Sequence, residues 1–326
     1  MNTSVQHVLD TEFSSDVLKG LSQFPKKLSS KYIYDKKGDA LFQQIMDLPE
    51  YYLTNCEYDI LSTHTNTIAK LFDENQTGFD LIELGAGDGR KTIVLLEHLS
   101  VNQYNFTYKP IDISENAIES ISSMLSKELP EVVVIPEKGE YFEVLDRLKS
   151  FNTRKKVIMI LGSNIGNLLH PRAIDFLSKL KDTMNYEDLL FVGFDQKKNP
   201  QVILDAYNDA TKVTETFNKN LLARINRELG ANFNLEKFTH WETYNPETGT
   251  AKSYLVATEF QTVTIEALDK VFYFEKWETI HTEISQKYDD HIIKWLANEA
   301  GLVIETSFTD SKQYYKNYAF KKTRTS

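Results

Sequence analysis

The chain of 326 residues carries 47 acidic against 37 basic side chains, a net charge of −10. Its Lys and Arg do not cluster into the surface that tracks phosphates, so nucleic acid and anionic membrane are excluded as partners and a small-molecule substrate is expected. Its 41% apolar and 26% charged residues suit an ordinary globular protein, long enough for one large domain or two modest ones.

A lone cysteine, Cys56, rules out an intramolecular disulfide, and seven scattered histidines lack ligand spacing, so no metal is expected. The first residues carry no basic patch followed by an apolar core, and no apolar run approaches the roughly 18 residues of a membrane span. A cytoplasmic location follows as the expectation.

Residues 1–31 are polar with scattered apolar positions and read as a strand or short helix followed by a loop. A helix is expected over 38–46, and the tyrosine-rich stretch around Tyr34, Tyr51 and Tyr52 suggests buried rings with satisfied hydroxyls. Apolar positions 60, 61, 68, 71 and 72 predict one helix from about 57 to 72.

Residues 79–84 form a short apolar run that reads as a buried parallel strand, and Gly85, Gly87 and Gly89 follow it. These glycines let the backbone turn sharply into the next helix with no Cβ between loop and ligand. The third glycine falls one residue short of the dinucleotide fingerprint, and the alternate spacing better fits the loop by which methyltransferases hold S-adenosylmethionine. A second strand, 105–112, ends in Asp112, 25 positions after Gly87, where a carboxylate can accept both ribose hydroxyls. Ser114 is the better helix N-cap of the two, which leaves Asp112 as the ribose ligand. After a third strand near 131–135, Glu140 and Tyr141 could bracket an adenine with an acceptor and an aromatic face.

Strands at 156–161 and 188–195 continue the alternation of strands with helices, which means a parallel doubly wound sheet with ligands at the carboxyl ends of its strands. The loop 162–167 lies at such an end. From Pro200 a long helix to Gly230 is expected from apolar spacing of three or four. The periodicity then becomes two, with a hairpin over 240–258 and strands near 260–265, 271–274 and 278–285. A helix at 289–300 and strands at 301–305 and 314–320 return to the earlier style. The fold class is therefore α/β, a Rossmann-like doubly wound sheet with a second α+β domain. In 279–285 the alternation places Glu283 and Ser285 on one face, roughly 7 Å apart, where they could converge on a small polar heterocycle.

Several separated motifs, in order, make the chain resemble the histidine Nα-methyltransferases of ergothioneine biosynthesis from about Tyr32 to its end. They are Tyr34-Asp35 with Leu41-Phe42, Leu48-Pro-Glu-Tyr51-Tyr52, Glu83-Leu-Gly85-Ala-Gly87, Gly162-Ser-Asn-Ile-Gly166-Asn167, Ala206-Tyr207-Asn208-Asp209, Phe217-Asn218, Asn226-Arg-Glu-Leu-Gly230 and Thr282-Glu283-Ile-Ser285. The resemblance implies a class I methyltransferase domain at 57–197 and 288–326, a substrate-binding domain at 1–56 and 198–287, and L-histidine held between them. It implies that Asn167 and Tyr207 hold the histidine carboxylate and orient its amine, that Tyr34 acts near the amine through water, and that Glu283 and Ser285 bind the imidazole. Gly85, Gly87, Lys91, Asp112, Glu140, Tyr141 and Tyr51 would line the S-adenosylmethionine site.

Two departures from the family pattern stand out: Glu140 where aspartate is common, and Asp88-Gly89-Arg90 in place of a Ser/Thr-rich segment. The family also includes enzymes that methylate tryptophan derivatives, and Glu283 favours histidine because an indole has a single N–H donor. The expected reaction is N-methylation of the α-amino group, three times over, by a monomer. A nicotinamide-dependent dehydrogenase would share the glycine loop, and a non-enzymatic sensor would bind the cofactor without turnover.

Overall fold

The computed structural model describes residues 11–139 and 154–323. The chain divides into two compact units, one of residues 1–51 with 199–285 and one of 52–198 with 286–326.

The second unit is built on an eight-stranded sheet. Its strands are β2 (Phe79–Leu84), β3 (Phe106–Asp112), β4 (Val133–Val134), β5 (Glu137–Lys138), β6 (Lys155–Ile160), β7 (Leu189–Asp195), β13 (Leu302–Thr309) and β14 (Tyr315–Lys322). Their spatial order is β13-β14-β7-β6-β2-β3-β4, with β5 also paired to β3. Strands β2, β3, β6 and β7 run parallel, and β14 lies antiparallel between β7 and β13. This is the Rossmann-like doubly wound sheet expected from the alternation, with β14 antiparallel to both of its neighbours.

Burial on both faces explains the unbroken apolar reading of the middle strands: every residue of β2 is buried. The strand order reverses at β2, which has β3 on one side and β6 on the other, so the loops after β2 and β6 flank the switch point where open α/β sheets bind ligands. Behind them, Ile158, Ile160, Phe176, Leu190, Phe194 and Leu296 form part of one core.

In the first unit, β1 (Lys26–Lys27), β12 (Thr279–Gln286), β9 (Thr250–Ala257) and β8 (Phe238–Asn245) make a sheet in that order, with a separate β10 (Gln261–Ile265) and β11 (Lys270–Phe274) ribbon. The expected hairpin over 240–258 forms as β8–β9 and closes through the pair Asn245 and Thr250 around the turn residues 246–249. The N-terminal stretch forms helix α1 (Glu12–Ser22), capped by Thr11, whose hydroxyl accepts from the Ser14 amide.

Two expected helices are each divided. The first becomes α3 (Tyr52–Thr63) and α4 (Thr65–Phe72), because the Thr65 hydroxyl bonds back to the carbonyls of Leu61 and Ser62 and bends the path at His64. The second becomes α8 (Pro200–Tyr207) and α9 (Val213–Leu229). Here Asp209 accepts from the amides of Val213 and Thr214 at 2.9 and 2.8 Å, starting a new helix after Lys212 at φ +64°. The expected third strand is also shorter, reduced to β4 and β5.

Candidate functional site

In the second unit the glycine turn is fastened to the end of β3. The Gly85 amide donates to the Ile111 carbonyl at 2.7 Å, and the Gly87 amide donates to Asp112 Oδ2 at 3.0 Å. Asp112 Oδ1 accepts from Ser114, whose own hydroxyl caps helix α6 (Glu115–Glu128) by accepting from Ala117. The carboxylate at the strand end therefore fixes the turn, and its oxygens can each accept more than one bond.

Gly87, at φ +58°, has nothing within 4 Å of where a Cβ would stand, whereas a Cβ on Gly89, at φ +72°, would press on Ile121 at 2.7 Å. One glycine keeps the loop open to a ligand; the other lets the helices close behind it. Asp88 folds onto Arg90, accepting from its Nε at 2.7 Å. The Gly139 amide donates to the Asp112 carbonyl at 3.0 Å, bringing the third-strand segment alongside; Glu140 and Tyr141 lie outside the described residues. An open glycine cradle, a strand-end carboxylate and adjacent amides fit an adenosine-bearing cofactor.

Beneath the turn, Glu83 is wholly buried and accepts from Tyr108 Oη at 2.5 Å and Thr92 Oγ1 at 2.8 Å. Burial raises its carboxyl to about 7, against the lowering pull of those two hydroxyls and of Lys91. Lys91 Nζ lies 2.6 Å from the buried carboxylate of Glu57. The loop after β6 passes through Gly162 and Ser163, both at positive φ, into a tight turn over Asn164–Asn167, which leaves Asn167 exposed.

In the first unit four expected residues come together. Tyr34 makes edge contacts with Phe42 and Phe217 at 5.6 and 5.4 Å between ring centroids, Phe42 meets Tyr51 at 6.2 Å, and Tyr51 meets Tyr207 at 6.2 Å. Tyr207 Oη lies 2.8 Å from Ser285 Oγ in a buried hydrogen bond, and the Tyr207 carbonyl accepts from His240 Nε2 at 2.9 Å. Glu283 is half-buried two residues before Ser285, and its carbonyl accepts from His281 Nε2 at 3.0 Å. Thr282 donates to Asn218 at 2.7 Å, so two of the separated sequence motifs meet directly. Tyr34 itself follows a turn pinned to α9, where Asn220 Nδ2 bonds the Ile33 carbonyl and Asp35.

The sequence reading passed over Glu57 and gave Glu83, quoted only within its motif, no role of its own. Glu57 had a signal: it occupies the apolar stripe of α3 with Leu53, Cys56, Ile60 and Leu61, all buried, and a carboxylate in such a stripe must find buried partners. Among the described residues no cluster of His, Cys, Asp and Glu could hold a metal, and no helix is long and apolar enough to cross a membrane.

A family model for histidine-specific, S-adenosylmethionine-dependent methyltransferases matches residues 13–322. The chain belongs to this family. It is 36% identical over 289 residues to the histidine N-alpha-methyltransferase of Mycolicibacterium smegmatis, covering 88% of each chain. With the enzyme of the same name from Mycobacterium tuberculosis it shares 33% identity over 298 residues, 88% of this chain and 91% of the other. Among solved structures, an S-adenosylmethionine-dependent methyltransferase from Clostridium acetobutylicum aligns with a TM-score of 0.45 at 11% identity, covering 82% of this chain and 93% of that one. The resemblance read from the sequence is thereby borne out, and S-adenosylmethionine is the cofactor of this enzyme family member.

Proposed function

We propose that the protein methylates the α-amino nitrogen of L-histidine, three times in succession, to give the trimethyl betaine used for ergothioneine. The observation that carries this reading is the match of one histidine-specific family model across residues 13–322, which span both compact units.

Bound S-adenosylmethionine supplies an electrophilic sulfonium methyl. Gly85, Gly87, Lys91, Asp112, Glu140, Tyr141 and Tyr51 are the residues proposed to hold it. For the acceptor, Asn167 and Tyr207 would grip the carboxylate and orient the amine, with Tyr34 near that amine through water. Glu283 and Ser285 would take the imidazole nitrogens.

The attacking nitrogen must be the free base, since an ammonium has no lone pair; water can carry the proton away, so no strong protein base is required. Holding nitrogen, methyl carbon and sulfur in line would then supply most of the acceleration. The run of rings from Phe217 through Tyr34, Phe42 and Tyr51 to Tyr207 offers aromatic faces to a nitrogen that becomes a permanent cation. A cytoplasmic monomer is the proposed setting.

Glu283→Ala should lower kcat/KM for histidine by roughly 1.5–3 kcal/mol, the range for a hydrogen bond involving a charged group, and leave S-adenosylmethionine affinity unchanged. Wild-type kcat/KM for histidine in that variant would remove Glu283 from the imidazole site.

A further inference from the structure

We propose that Glu57 is a positioning residue for methyl transfer, one buried carboxylate that sets the places of the loop after β2 and the loop after β6. The inference rests on the reading that Lys91 serves the donor and Asn167 the acceptor.

Glu57 Oε2 accepts from Lys91 Nζ at 2.6 Å and from the Gly162 amide at 2.6 Å, while Oε1 accepts from Asn317 Nδ2 at 2.9 Å. The side chain has no exposed surface, and that of Lys91 is 16% exposed. Its seat is shaped to leave it no alternative. A Cβ on Gly193 would stand 2.3 Å from Oε1, so only glycine on β7 makes room for the carboxylate. A Cβ on Gly162 would stand 3.1 Å from Lys91 Nζ, so the ammonium and the start of the second loop touch at the same point.

These contacts come from helix α3 and strand β14, elements that carry none of the proposed ligands, and they converge on the two loops that flank the switch point. A short charge-assisted bond to each loop fixes both against one another. Gly162 lies five residues before Asn167, at φ +70°, and the turn between them is closed by the Gly166 amide donating to the Ser163 carbonyl at 2.7 Å. Displacing Gly162 therefore carries Asn167 with it. Because in-line transfer tolerates little misplacement, losing the shared carboxylate should act on turnover more than on the binding of either substrate.

Glu57→Gln keeps the shape and removes the charge. The expected result is a fall in kcat on the order of tenfold to a hundredfold, with each KM changed by less than about threefold. Lys91→Gln added to Glu57→Gln should cost less than the product of the two single effects, because both break one interaction. Gly162→Ala, which retains Glu57 and crowds Lys91 Nζ, should reproduce the kcat effect, and it serves as the test if Glu57→Gln fails to fold.

Wild-type kcat in folded Glu57→Gln, or in Gly162→Ala, overturns the proposal, as do fully multiplicative effects of the two substitutions. Failure of the functional reading is distinct, since it would show as wild-type protein that does not methylate histidine.

Discussion

Glu83 holds a proton into the neutral range because burial of its carboxyl outweighs the two hydroxyls and the nearby Lys91 that favour the charged form. Burial raises it from the ordinary 4.5 to about 7. A group that binds its proton more tightly folded than unfolded stabilises fully below the unfolded value, and that contribution is lost as pH rises through the folded one. Between about pH 4.5 and 7 the loss amounts to about 3 kcal/mol at most. Glu83→Gln should therefore gain Tm relative to wild type as pH goes from 5 to 8, other carboxylates cancelling in the difference. Parallel Tm curves would place that proton elsewhere. Asp112 and Ser114 were legible in the sequence because a strand end and a helix cap are local signals. The partners of Glu83 and Glu57 were not, since Tyr108, Gly162 and Asn317 reach them only through the fold.

Element boundaries show the same division between local and distant causes. The apolar spacing from Ile203 to Leu229 runs on almost unbroken, so periodicity alone predicts one helix. The break depends on Asp209, which holds Thr211, Val213 and Thr214 through one side chain. Burial alone would raise the Asp209 carboxyl, and bonds from Thr211, Thr214 and Val213 outweigh it to carry it to about 2. It therefore stays ionised through the working range as a helix cap. In Asp209-Ala-Thr-Lys-Val-Thr the aspartate stands three residues before the N-cap position, Lys212, so its hold on the helix start was overridden by the strength of the pattern around it.

The break has a consequence for the site, because Tyr207 ends α8 and its hydroxyl must meet Ser285. Asp209→Ala should cost about 1–2 kcal/mol of stability, the value of a lost N-cap. It should also lower kcat/KM for histidine while leaving S-adenosylmethionine affinity unchanged, both readable from urea melts and steady-state kinetics. An unchanged melt would mean the cap is dispensable.

At the level of the whole chain, the doubly wound sheet was legible because its central parallel strands β2, β6 and β7 are buried on both faces and bounded by turn residues. The β-rich insertion was legible because its period is two. What the sequence could not place is which side chains of the first unit face one another: the ring contacts of Tyr34, Tyr51 and Tyr207 join residues up to 183 positions apart, from Tyr34 to Phe217. The shared order of motifs supplied what spacing alone did not.

The most direct measurement is mass spectrometry of wild-type protein incubated with S-adenosylmethionine and a panel of free amino acids. Histidine should be consumed first, with its mono-, di- and trimethylated forms appearing in sequence. No methylated histidine, or product only from another amino acid such as a tryptophan derivative, would contradict the account.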